Sequence, residues 1–171
     1  GNQSGTVVRF GDGATSNAKL TGLTIRNGLA DGDGRGGGIN CNRSSPTITN
    51  VTISGNTASN SGGGISCYIS SPTITNVTIS GNTSSTSGGG IYCLSSSPTI
   101  TNVTISGNTA SGSGGGGGIY CQVSSPTITN VTISGNTASS SGGGMYIRDG
   151  SAGLTITNVT ISGNTSLYRG G

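Results

Sequence analysis

PTITNVTISGNT, residues 46–57, returns unchanged from Pro72, Pro98 and Pro126, and once more from Leu154 with only its first residue altered. The repeated asparagines Asn50, Asn76, Asn102, Asn130 and Asn158 are spaced 26, 26, 28 and 28 residues apart. Leu20-Thr-Gly-Leu-Thr-Ile25 is a fainter upstream copy, with Gly22 in the asparagine place. A second marker runs in phase. Gly-Gly-Gly-Ile-x-Cys occupies 36–41, 62–67, 88–93 and 116–121, and becomes Gly-Gly-Gly-Met-Tyr-Ile at 142–147. A repeat of this length is the mark of a solenoid, in which each unit buries its apolar side only against its neighbours.

The local pattern is that of strands. β-branched residues alternate with small polar ones between Gly, Asn and Ser clusters. In the unit starting at Gly62 the alternation predicts strands at Ile65-Ser66-Cys67, at Thr73-Ile74-Thr75 and at Val77–Ser80, with Ile65, Cys67, Ile74, Val77 and Ile79 inward. The parity slips between Ile74 and Val77, so a bend is expected at Asn76, a residue type that tolerates the left-handed region. Asn76 and its equivalents are expected to stack as an internal amide ladder, with a second ladder at Asn56, Asn82, Asn108, Asn136 and Asn164. The fold expected is an all-β parallel β-helix of about six coils with three short strands per coil and a rise of roughly 4.8 Å per coil. Residues 1–19 read as an irregular lead-in or edge coil with Val8 and Phe10 inward, and residues 20–171 as the repeat domain.

GGGI at 62–65 followed by ISGN at 79–82, repeated along the chain, resembles the right-handed parallel β-helix repeats of bacterial secreted and surface proteins. It is most similar to the GGA[ILV]/FxxN repeats of polymorphic outer membrane proteins, with Gly in place of Ala and Ile in place of Phe. The resemblance spans residues 20 to 171. It implies a right-handed coil and an extracellular or cell-surface setting, and no single activity.

Composition narrows function. Charged residues are 6% of the chain, and none lies between Ser44 and Ile147. Histidine and tryptophan are absent, and all four acidic residues are aspartates. The net charge of +3 comes from scattered Arg and Lys and forms no stripe for nucleic acid. No apolar run approaches the roughly 20 residues of a membrane-spanning helix. Gly170-Gly171 stand where the next GGGI would begin, so a longer parent array or end-to-end stacking of copies is expected.

The candidate sites are few. The outward T-x-T pairs Thr47/Thr49, Thr73/Thr75, Thr99/Thr101, Thr127/Thr129 and Thr155/Thr157, with a T-x-S pair beside each, form ranks of hydroxyls and methyls. They resemble the faces of insect-type ice-binding solenoids, although Thr also suits any exposed strand. Tyr92, Tyr120 and Tyr146 read either as an outward platform for sugar rings or as an aromatic ladder that stabilises the sheet. Asp31 and Asp33, in DGDGR, are a weak calcium candidate against a solvated turn with an Asp–Arg pair, because no carboxylate recurs in later coils. Cys41, Cys67, Cys93 and Cys121 hold one ladder position that Ile147 takes over, which reads as a buried stack of free thiols, with one or two disulfides as the alternative and a metal site last. No cofactor is expected. The sequons such as Asn76-Val77-Thr78 fall on the ladder taken as internal, and so are expected to be unmodified.

These features give three readings, in order of preference. The first is a non-catalytic extracellular structural or adhesive module or filament unit. The second is an ice-binding protein acting through the threonine ranks. The third is a carbohydrate-binding or polysaccharide-lyase fragment, which lacks the carboxylate and basic clusters such chemistry needs.

Overall fold

The computed structural model describes residues 5–149 and 153–168; Gly170-Gly171 lie outside these residues. The chain winds six times through three sheets, and every pairing between its strands is parallel. Sheet 1 stacks Val8–Phe10, Ile39–Asn42, Ile65–Tyr68, Ile91–Leu94, Ile119–Gln122 and Met145–Arg148. Sheet 2 carries the TITNVTIS segments, and sheet 3 stacks two-residue strands such as Thr57–Ala58 and Thr83–Ser84. This is the parallel β-solenoid expected. Its first rung is Val8–Phe10, inside the stretch read as a lead-in, and Val8 and Phe10 pack against the core as that reading required.

Register is one equivalent residue on the next throughout. Ile48, Ile74, Ile100 and Ile128 stack in one column, and Ile53, Ile79, Ile105 and Ile133 in another; all are fully buried. A one-residue slip would turn both columns to water, so the alternation fixes the register. Cys41, Cys67, Cys93 and Cys121 form a third column that Ile147 continues.

Two expectations change. The segments Thr73–Thr75 and Thr78–Ser80 are not two walls but one sheet, and they run as one strand in Thr99–Ser106, Thr127–Ser134 and Thr155–Ser162. The third wall is the short Thr83–Ser84 strand, entered through Gly81 at φ 62°. The second change concerns the ladders. Asn50, Asn76, Asn102, Asn130 and Asn158 all sit at φ 51–56°, and their side chains are exposed. The left-handed residue bends the strand and throws its own side chain outward, so simple alternation fails at that residue alone.

The internal ladder is therefore the one at Asn56, Asn82, Asn108 and Asn136, all fully buried. Asn82 Nδ2 donates to Ile53 O at 3.0 Å and to Asn108 Oδ1 at 2.9 Å. Its Oδ1 accepts from the Asn56 backbone N–H at 3.0 Å and from Asn56 Nδ2 at 2.9 Å. Every polar atom of the buried amide is satisfied, which is the condition for placing an amide in an apolar core.

The glycine triplets are packing devices. Gly62 adopts φ 73°, and a Cβ on Gly63 would lie 2.5 Å from both Gly89 O and Thr83 O. Only glycine lets the chain pass sheet 3 this closely, and no helix follows to make a phosphate loop.

Candidate functional site

Sheet 2 places the ten threonines in two straight ranks. Thr47, Thr73, Thr99, Thr127 and Thr155 pair in register, as do Thr49, Thr75, Thr101, Thr129 and Thr157. All ten are exposed or half-exposed. Beyond the bend, Thr52, Thr78, Thr104, Thr132 and Thr160 form a third rank, with Ser54, Ser80, Ser106, Ser134 and Ser162 as a fourth. Lys19 and Arg26 stand at the first-coil ends of the first and fourth ranks, and no other charge joins the face.

The first two ranks offer hydroxyls outward. Among the described residues, two of the ten hydroxyls are engaged within the chain: Thr47 donates to Ser16 O at 3.0 Å, and Thr155 reaches Gly153 O at 3.5 Å. The exposed asparagines run down the bend as a fifth column. Asn76 Nδ2 donates to Asn50 Oδ1 at 3.2 Å, and the same bond links Asn102 to Asn76, Asn130 to Asn102 and Asn158 to Asn130. The sequons Asn76-Val77-Thr78 and its equivalents are thus on the outside, contrary to the sequence expectation.

This face is held rigidly from behind by the internal amide ladder and from its edge by serines. At the corner between sheets 1 and 2, Ser70 Oγ accepts the Ser44 N–H at 3.0 Å, and its single O–H has Tyr68 O at 2.9 Å and Cys41 O at 3.1 Å as acceptors within reach. Ser96 and Ser124 accept the same bond in turn. One residue on, the ladder runs the other way: Ser45 Oγ accepts from Ser71 N–H at 3.0 Å, and Ser71 Oγ from Ser97 N–H at 3.0 Å. Sequence reasoning missed these serines; their signal was the Ser-Ser-Pro triplet that recurs at 44–46, 70–72, 96–98 and 124–126.

The tyrosines do not form an open platform. Tyr92 and Tyr120 lie on the outer side of sheet 1, yet they are only 7% and 4% exposed. Their rings stack on each other at 5.4 Å and 9°, and Tyr146 tilts onto Tyr120 at 5.7 Å and 52°. Burial raises the Tyr92 and Tyr120 phenols above their ordinary value. With their faces spent on each other, they stabilise the sheet.

The charged loop also differs from expectation. Asp31 and Asp33 are exposed, and Arg35 does not pair with them but lies over the Tyr68 ring at 4.8 Å. Among the described residues no three His, Cys, Asp or Glu side chains converge on a metal position. Among the described residues the ion pairs lie elsewhere, at Arg43–Asp12 (3.8 Å) and Arg148–Asp149 (3.0 Å).

The four thiols are free and buried. Hydrogen bonding within the column and burial both raise Cys41 and Cys93 well above the ordinary thiol value of 9.0. A thiolate at Cys67 would gain S–H bonds from Cys41 and Cys93, which act to lower it, while burial opposes. Two weak S–H donors do not replace hydration at a fully buried position with no cation beside it, so Cys41, Cys67 and Cys93 are neutral thiols.

Shallow openings among the described residues include two. One, of about 480 Å³, lies beside Ala14, Arg43, Ile69 and Thr73, and the other, of about 450 Å³, beside Ser111, Ser139 and Tyr168. Neither is lined by a carboxylate. The description "right handed beta helix region" matches residues 6–170 of the chain, which therefore belongs to that family. No curated protein and no solved structure matches it.

Proposed function

We propose that this member of the right-handed β-helix family is a non-catalytic extracellular structural or adhesive module, a stiff unit of a longer array or filament. The observation that carries the reading is the threonine face: uncharged across its central coils, in register from coil to coil, and backed by a satisfied amide ladder. The family fold by itself leaves activity open. Hydrolytic or eliminative cleavage of a polysaccharide needs a titratable pair or a metal at the bond broken, and the central coils offer neutral thiols and stacked tyrosines. The location outside the cell rests on the likeness of the GGGI and ISGN repeats to those of secreted and surface proteins. The test is incubation of the protein with neutral and acidic polysaccharides, with and without calcium, at high protein concentration. No new reducing ends or unsaturated products are expected; their appearance would overturn the reading.

A second reading, ice binding, is favoured by the regular Thr ranks. Their spacing is roughly 4.8 Å between coils and about 7 Å along the strand. Faceted ice in the presence of the protein, lost in a folded Thr101→Tyr variant, would establish it. Round, unshaped crystals at high concentration would dismiss it.

A further inference from the structure

The Asn-Val-Thr triplet of every repeat also matches the acceptor signature for N-linked glycan, Asn-x-Ser/Thr. So do Asn2-Gln3-Ser4, Asn42-Arg43-Ser44, Asn82-Thr83-Ser84 and Asn164-Thr165-Ser166. The fold sets the asparagines of the Asn-Val-Thr triplets apart from Asn82. Asn50, Asn76, Asn102, Asn130 and Asn158 are exposed on the bend of sheet 2, and the threonine two residues on is exposed in each case. Asn82 is fully buried.

Hydrogen bonding separates them more sharply than exposure does. An asparagine amide has two N–H donors. Asn82 uses both, one to Ile53 O and one to Asn108 Oδ1. Asn76 uses one, to Asn50 Oδ1, and its own Oδ1 accepts from Asn102. Asn102 and Asn130 are bonded in the same way. A glycan on Nδ2 replaces one hydrogen and leaves one N–H and the oxygen. That is what the outer ladder consumes, so the outer ladder tolerates modification without losing a bond. The inner ladder would lose one and would also have to open the core.

We infer that the exposed asparagine column is a row of N-glycan acceptors, and that Asn82 is not one despite its matching triplet. In the transfer, Nδ2 of the asparagine forms a bond to the sugar C1 of a lipid diphosphate-linked oligosaccharide. The C1–O bond to the diphosphate breaks, the lipid diphosphate leaves with the electron pair, and the amide gives up one proton. Adjacent coils stand roughly 4.8 Å apart, too close for two branched sugars side by side, so occupancy falls on alternate coils. The column runs between the second and third threonine ranks, and a glycan there would cover the face. The inference does not depend on what that face binds.

The test is expression of the full chain, with a cleavable secretion leader, in a eukaryotic host. The secreted and the cell-retained fractions are both mapped by glycopeptide mass spectrometry, after amidase release in heavy-oxygen water to mark each formerly occupied asparagine. Glycan on the exposed set, with Asn82 unmarked in folded secreted protein, is the expected result. No glycan at any of the five exposed sites in either fraction would overturn the inference. So would occupancy of Asn82 in folded protein at the level of its exposed neighbours.

Discussion

The two asparagine ladders make a paired test of which amides hold the fold. Replacing Asn82 with Ala removes four bonds between 2.9 and 3.0 Å. At least two buried donors, the Asn56 backbone N–H and one Asn56 side-chain N–H, then lack a partner. Each unsatisfied buried group costs about 1–3 kcal/mol, so a loss of about 4 kcal/mol is expected. Replacing Asn76 with Ala removes exposed bonds of 3.2 Å that water replaces, and adds about 1 kcal/mol for a Cβ-bearing residue less suited to φ 55°. The difference, about 3 kcal/mol, corresponds to a midpoint shift of about 1.5 M in urea for a slope near 2 kcal/mol/M. Both variants would be unfolded in urea and followed by circular dichroism. If Asn76→Ala destabilises as much as Asn82→Ala, the assignment of the inner and outer ladders is wrong.

Four further outcomes follow from single positions. Ile69 and Val123 are β-branched at φ 51° and 49°, and are 46% and 57% exposed; Ile69→Asn and Val123→Asn should each raise the urea-derived stability by about 1 kcal/mol. Ser84 stands between Ala58 and Ala110 in a column that runs from Ala30 to Ser166, and its buried Oγ has no partner; Ser84→Ala should gain about 1 kcal/mol, measured the same way. Gly63→Ala drives a Cβ to 2.5 Å from two backbone oxygens and should cost about 3 kcal/mol or more, seen as a lower thermal midpoint or loss of soluble protein. For the thiols, the folded state holds protons on Cys41 and Cys93 that the unfolded chain releases near pH 9.0. Their contribution is therefore complete below that pH and declines as pH rises past it, and the native thiols should resist a thiol reagent until the chain unfolds.

Much of this architecture is visible in residue order. Ile74, Val77 and Ile79 mark the inner side of sheet 2, and Ile147 at the cysteine place announces an apolar column. The threonine ranks follow from the same alternation. Three things resist such reading. A left-handed residue reverses its own facing, so Asn76 counts as inward by parity while its geometry sends it outward. Thr83–Ser84 is too short for any period to register, which hid the third wall. The burial of Tyr92 and Tyr120 depends on neighbours in adjacent coils, which alternation along one strand cannot show.

The direction of the ladders has an electrical consequence. In the inner column the amide-to-amide bonds donate toward the following coil, from Asn56 to Asn82 to Asn108, while the second N–H of each amide donates to a carbonyl of the preceding coil. In the outer column each donates toward the preceding coil, from Asn102 to Asn76 to Asn50. The two serine columns oppose each other in the same manner. A helix accumulates its peptide dipoles into a charge at each end; here the side-chain dipoles cancel in pairs as coils are added. Such a rod can grow without its side-chain ladders building up a field along its axis, so its attraction for ions at either end should not rise with the number of coils.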